Sequence, residues 1–235
     1  MDLREIFNTA IQKIYPRNGT CYGCGCDVFN GEPFCKVCLK EMTGNYVFCV
    51  RCGRKIAQSG YCLDCKQRQP LFDKARSLFS YEGKTITRIY AMKNGDPALC
   101  NAFADLAIPL VRSELSADLI SFVPMSKKSR RLRGYNQSQL LAEALGRQLS
   151  LPVEDLFEKV RDTSEQKSLS RKERQQNLHG CYRLTRRALV RDKTVLLVDD
   201  VMTTGTTMEE LTRLLKGAST KAVFVFTVAS VSLQK

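Results

Sequence analysis

From about residue 72 onward the apolar positions alternate between two rhythms. Short runs rich in β-branched and aromatic residues predict strands at 77–81, 119–123, 157–160, 195–198 and 222–228. Between them, apolar residues spaced three and four apart predict helices over 97–115, 136–149 and 206–216, with a short polar helix at 170–177. Such alternation predicts an α/β domain, a parallel sheet with helices on both faces, whose ligands sit beyond the carboxyl ends of the strands. A separate stripe, Leu3, Ile6, Phe7, Ala10, Ile11 and Ile14, predicts an N-terminal helix that packs on the rest of the chain.

The strongest strand, Val195-Leu196-Leu197-Val198, runs straight into Asp199-Asp200-Val201-Met202-Thr203-Thr204-Gly205-Thr206-Thr207. A packing helix needs one capping hydroxyl, and β-branched threonine is a poor helix former, so four threonines in five positions ask for another explanation. Backbone N–H groups and the helix dipole would face an anion, while the carboxylates face hydroxyls or a metal. A phosphorylated sugar combines both chemistries. The run lacks the Gly-Lys-Ser/Thr of a Walker A loop and the G-x-G-x-x-G of a dinucleotide site. Thr206-x-x-Glu209 reads as a capping box.

The first 70 residues follow neither rhythm and are punctuated by cysteine. Four C-x-x-C pairs, Cys21/Cys24, Cys35/Cys38, Cys49/Cys52 and Cys62/Cys65, place two sulfurs on each of four tight turns. Two such turns supply a tetrahedral S₄ set, so one or two structural Zn²⁺ ions are expected. Cys26 is a spare thiol that can replace Cys24 in the first set. With four thiolates and no open position, catalysis by the metal is not expected. The module is assigned to residues 1–70 and the α/β domain to 71–235. Tyr22, Phe34, Tyr46, Phe48 and Tyr61 lie among the cysteines with several basic residues, which reads either as a small core or as a single-strand stacking surface.

Composition changes this picture in two places. Eleven cysteines without a secretion signal argue against a disulfide scaffold, and no apolar run reaches the length of a membrane span, so a cytoplasmic protein with no membrane insertion is expected. The net charge of +13 is concentrated: residues 127–191 hold 16 Lys and Arg against 7 Asp and Glu. Lys127, Lys128, Arg130, Arg131 and Arg133 crowd one segment between a strand and a helix, an arrangement suited to pyrophosphate oxygens. Residues 161–174 are polar and patternless, and read as a lid that brings Lys167 or Arg171 to a reacting sugar, or as a plain connector.

The Asp-Asp/Thr-Gly run resembles the 5-phosphoribosyl-1-pyrophosphate (PRPP) motif of the type I phosphoribosyltransferases. The resemblance implies that Asp199 and Asp200 bind the ribose hydroxyls and that Thr203, Thr204, Gly205, Thr206 and Thr207 hold the 5-phosphate. With the Cys₄ module, Met92-Lys93-Asn94-Gly95-Asp96, Arg133-Gly134-Tyr135-Asn136-Gln137 and Thr163-x-x-Gln166-x-x-Leu169-Ser170, nearly the whole chain is similar to the ComF (ComFC) family. That resemblance implies a type I phosphoribosyltransferase fold behind a zinc-ribbon-like module. It also implies PRPP with Mg²⁺ as ligand, action on incoming single-stranded DNA during natural transformation, and a competence helicase or translocase as partner. Two readings follow: a phosphoribosyltransferase of unknown acceptor, with Asp199, Asp200, Lys167 and Arg171 at the reacting centre, or a non-catalytic PRPP or nucleotide sensor that binds DNA or a helicase. Asn94 departs from the aromatic residue frequent in relatives.

Overall fold

The computed structural model describes residues 19–29, 31–161 and 180–232. In chain order the elements are α1 (Lys36–Thr43), β1 (Val47–Phe48), β2 (Lys55–Ile56), α2 (Leu63–Gln67), β3 (Lys74–Ser80), α3 (Gly83–Lys93) and α4 (Ala98–Glu114). There follow β4 (Leu119–Phe122), α5 (Lys127–Arg133), α6 (Gln137–Leu149), β5 (Phe157–Lys159), β6 (Tyr182–Leu184), β7 (Thr194–Met202), α7 (Thr206–Lys216) and β8 (Ala222–Ser230). Strands β3, β8, β7 and β4 form one sheet in that order, and every pair in it is parallel.

The near-continuous apolar runs of β7 and β8 are what a sheet covered on both faces requires. Period two sends Leu196 and Val198 to one face and Val195 and Leu197 to the other, all four fully buried. The first face packs against Ile89 and Met92 of α3, Leu99 and Phe103 of α4, and Leu141 and Leu145 of α6. The second packs against Met208, Leu211 and Leu215 of α7 and against Phe157 and Tyr182 of the β5–β6 pair.

The cysteine-rich segment is not strung in front of this domain. Each half of it enters a different one of the two cores. Cys21, Val28, Phe34, Cys38 and Met42 belong to the first cluster, and Cys49, Cys52, Ile56, Cys62 and Cys65 to the second. Phe34 stacks on Phe103 with ring centroids 5.6 Å apart, and Phe103 meets Phe79 edge-on at 6.1 Å. A module too small to bury its own core completes that core on its neighbour.

The strand expected at 157–160 is a correction. Phe157–Lys159 stands outside the main sheet, paired antiparallel with Tyr182–Leu184. A three-residue strand carries too few side chains to declare its partner. Helix α3 has no forecast counterpart, because Gly83 and four β-branched residues dilute its helical pattern. The edge of β4 is closed by Pro152 and Glu154, which exchange hydrogen bonds with Ile120 at 2.9 Å each. The N-terminal stripe and the helix expected at 170–177 lie outside the described residues. Among the described residues no helix is long and apolar enough to cross a membrane.

Phe103→Ala removes the ring joining the first ribbon to the sheet. It is expected to lower the unfolding free energy by about 3–5 kcal/mol, read as a shifted midpoint in urea unfolding.

Candidate functional site

Asp199 and Asp200 lie near the carboxyl end of the inner strand β7, which runs on past the expected 195–198 to Met202, and Ser138 and Gln137 at the N-terminus of α6 reach them. Asp200 is buried, and Lys93, at the C-terminal end of α3, places its Nζ 2.7 Å from Asp200 Oδ2. The same oxygen accepts from Gln137 Nε2 at 3.2 Å, while Oδ1 accepts the Val201 N–H at 2.7 Å. Asp199 Oδ1 accepts from Ser138 Oγ at 2.7 Å and from the Asp200 N–H at 2.9 Å. Burial and the neighbouring Asp200 charge push the Asp199 carboxyl up to about 7, against the opposing pull of Ser138, the Asp200 N–H and Lys93. Burial alone would lower the Lys93 ammonium, but the Asp200 charge and hydrogen bond outweigh it, with Asp199 adding to them, and it stands above the ordinary lysine value.

The Arg133–Gln137 motif supports this pair residue by residue. Arg133 Nη1 donates to Gln137 Oε1 at 2.9 Å and so braces the amide that touches Asp200. Gly134 closes α5 in the left-handed region, φ 83°, where a side chain would be strained. Tyr135 Oη donates to the Met92 carbonyl at 2.6 Å and accepts the Gly95 N–H at 3.3 Å, fixing the turn that carries Lys93. Asn136 caps α6 through the Ser138 N–H and ties back to the Val123 carbonyl.

The Thr/Gly loop turns at Gly205, φ 80°, which caps α7. Thr203 is exposed, Thr204 and Thr207 are partly exposed, and the Thr204 and Thr206 hydroxyls meet at 2.6 Å. The capping box expected from Thr206 and Glu209 does not form. The cap is Gly205, with no side-chain cap hydrogen bond, and Glu209 Oε2 instead accepts from Arg68 Nη2 at 2.8 Å. On the outer side Tyr182 is hydrogen-bonded to Thr207, and burial together with the Asp199 charge raises its phenol well above the usual range.

The segment Lys127–Arg133, read as a loop between a strand and a helix, is the helix α5, capped by Ser126 Oγ on the Ser129 N–H at 3.1 Å. Its serine cap stands immediately before the cation run, whose charge drew the reading instead. Lys127, Lys128, Arg130 and Arg131 are exposed, and Arg133 alone is brought into the network around Asp200. Lys167 and Arg171 lie outside the described residues.

Sequence reasoning did not assign roles to Lys93, Gln137, Ser138, Tyr182 or Arg54. The first three lie inside or beside the motifs quoted for the family resemblance, which was their available signal. Arg54 had none. It sits two residues after Cys52, is 4% exposed, and donates from Nη2 to the Thr203 carbonyl at 3.1 Å.

The cysteines converge as two sets, Cys21, Cys24, Cys35, Cys38 and Cys49, Cys52, Cys62, Cys65, with sulfurs in each within 4.8 Å of one another. The Cys24–Cys35 and Cys52–Cys62 sulfur separations are 3.8 and 3.6 Å. A tetrahedral centre with Zn–S bonds of ~2.3 Å demands ~3.8 Å between sulfurs. Backbone N–H groups of Gly23 and Cys35 point to Cys21 Sγ at 3.2 Å, and that of Cys62 to Cys49 Sγ at 3.4 Å, as thiolates require. Both sets fit structural zinc. Cys26 is exposed beside the first set, outside the four that converge.

Fold and site together define a zinc-ribbon protein built onto a phosphoribosyltransferase-type α/β domain. Residues 136–233 match the phosphoribosyl transferase domain family and residues 10–66 the double zinc ribbon domain family. DNA utilization protein YhgH of Salmonella typhimurium is 30% identical over 203 residues, spanning 81% of this chain and 88% of that protein. Competence protein F of Haemophilus influenzae is 28% identical over 83% of this chain and 89% of its own length. For competence protein ComFC of Bacillus subtilis the figures are 28%, 83% and 81%. The chain belongs to this ComF family.

Because Asp199 favours its protonated form in the folded chain, its contribution to stability is fully present below the ordinary carboxyl value of 3.8 and is lost as pH rises through about 7. Asp199→Asn, neutral throughout, should exceed wild type in stability at pH 8 by on the order of 2 kcal/mol. By pH 5 the gap should have narrowed substantially, which urea unfolding at the two pH values measures.

Removing Lys93 leaves Asp200 buried without its cation. Lys93→Met should cost about 3 kcal/mol, and adding Asp200→Asn should return most of it, a double-mutant cycle that separates the ion pair from packing.

Proposed function

We propose that the chain binds PRPP at the carboxyl edge of its sheet. The observation carrying this reading is the convergence of two carboxylates and a glycine-turned threonine loop at the ends of β7 and α7. The first-turn N–H groups of α7 lack intrahelical partners by construction, and with the threonine hydroxyls they suit the 5-phosphate. Asp199 and Asp200 accept from the ribose 2- and 3-hydroxyls. Lys93 offsets the charge of Asp200, so the pair acts as hydrogen-bond acceptors more than as a bare dianion. Arg133, with Lys127, Lys128, Arg130 and Arg131 on α5, supplies cations for the pyrophosphate.

In a transfer, the bond from ribose C1 to the pyrophosphate oxygen breaks as the bond to an acceptor forms, and the electron pair leaves with pyrophosphate. Positive charge develops on the ring. No nucleophilic side chain is required, and the chain's part is to orient the sugar and balance the departing charge. Mg²⁺ bound by pyrophosphate and ribose oxygens would add Lewis-acid neutralisation.

Relatives named as competence and DNA utilization proteins support a role in handling incoming single-stranded DNA. A second reading, a PRPP-responsive protein that binds DNA or a helicase without turnover, is favoured by one specific contact. Of the six aromatics between Cys21 and Cys65, Phe34 is core and Tyr61 is exposed, with the Arg51 guanidinium 5.3 Å above its ring. An aromatic face backed by a guanidinium suits an unpaired base. The exposed cations of α5 extend the same chemistry.

Saturating PRPP with Mg²⁺, at about a hundred times its Kd, should stabilise the wild type by roughly 2.7 kcal/mol. Asp199→Asn/Asp200→Asn should remove that response in a thermal-shift titration. Pyrophosphate release in the presence of candidate acceptors distinguishes the enzyme from the sensor. An unresponsive wild type would sink both readings.

A further inference from the structure

The second zinc ribbon grips the phosphate loop from beneath at two points, one from each of its knuckles. The first knuckle is closed by the Gly53 N–H on the Cys49 carbonyl at 2.9 Å and the Cys49 N–H on the Arg54 carbonyl at 2.8 Å. It carries Arg54, which donates to the Thr203 carbonyl. The second knuckle carries Arg68, three residues past Cys65, which pairs with Glu209 in the first turn of α7. Between these contacts lies a cavity of about 10 Å³, room for roughly one water, lined on one side by Cys52 and Cys65 and on the other by Thr204 and Gly205.

The contact is tight. A Cβ placed on Gly205 would lie 3.0 Å from Arg54 Nη2, so the loop backbone rests directly on the guanidinium. The knuckle is pressed equally hard against the sheet, where a Cβ on Gly53 would lie 2.8 Å from the Arg76 backbone. The Gly53 carbonyl also accepts from Ser230 Oγ at 3.0 Å. Arg54 Nη1 is 3.7 Å from Asp64 Oδ2, a carboxylate next to Cys65, while its buried Nε finds no partner among the described residues. Arg54 is therefore held by the geometry of both knuckles, which a zinc ion bound by Cys49, Cys52, Cys62 and Cys65 would lock to one another in addition to the backbone hydrogen bonds of the first.

We infer that the second zinc site and the phosphate loop are thermodynamically coupled, with Arg54 as the positioning residue between them. The inference rests on the sugar-phosphate reading above. Zinc fixes the two knuckles, Arg54 and Arg68 then fix Thr203–Glu209, and the loop meets a phosphate ester already ordered. By reciprocity, a phosphate ester must raise the affinity for zinc at this site by the same factor. The first ribbon packs on the opposite face of the sheet against α3 and α4, and serves as an internal control.

The experiment is an equilibrium zinc competition against a chromogenic chelator, on the full zinc-loaded chain, with and without saturating ribose 5-phosphate. One of the two zinc constants should tighten about tenfold, within the usual range of such couplings, and the other should stay fixed. In Arg54→Met the tightening should vanish and ribose 5-phosphate should bind about tenfold more weakly, with Arg54→Lys recovering part of each. The wild-type measurement stands alone if the variants fold poorly. Ribose 5-phosphate that binds but leaves both zinc constants unchanged overturns the coupling and spares the sugar-phosphate site. Wild type that does not bind ribose 5-phosphate overturns both.

Discussion

Two adjacent carboxylates at the end of a buried parallel strand are an electrostatic problem, and much of the domain around them is its solution. An unpaired buried charge costs several kcal/mol, and two in sequence repel. Asp200 is met by the Lys93 ammonium, the Gln137 amide and its neighbour's N–H. Asp199, with only a hydroxyl and an N–H, is left near neutral pH on the edge of ionisation. Each provider must then be held in place. Tyr135 fixes the turn beyond Lys93, Arg133 fixes Gln137, and Asn136 fixes the start of the helix bearing Ser138. Three stretches distant in sequence are bound together by one pair of charges.

The zinc ribbons answer a different constraint, that of size. A segment of some fifty residues with four knuckles cannot enclose a core, and metal fixes turns without filling space. Here the halves part and each lends its apolar side to a different face of the sheet. The first inserts Phe34 between its own turns and Phe103. The second lays its knuckles along β3 and under the threonine loop. Their position, more than their metal content, makes them part of the site's architecture.

Much of this was legible in the sequence. The four sheet strands, the helices α4, α6 and α7, and the cysteine pairing all follow from periodicity, spacing and composition. What was not legible depends on contacts across long separations. The partner of β5 is decided by tertiary packing, since three residues hold no register information. Helix α5 was hidden because its cations obscure the capping serine. Glu209 stands at capping-box spacing, yet Arg68, 141 residues away, offers a charge where the box offers only a backbone N–H. Arg54 is the extreme case, an arginine beside a metal knuckle whose partner lies 149 residues along the chain.

Arg54 also bears on how the proposed anion site would work without a lysine of its own. A Walker-type loop meets phosphate with a lysine that reaches over it. The loop from Thr203 to Thr207 has no cation, and its neighbours in sequence are two aspartates. Left alone, that local charge would oppose a phosphate ester. On the proposed reading, the buried guanidinium behind the loop, with Asp64 3.7 Å from its other nitrogen, would offset that charge from inside the protein, where low dielectric strengthens its field. A cation placed behind the backbone attracts the ligand without competing for the space it fills, and leaves the loop surface to hydroxyls and N–H groups that fix its orientation.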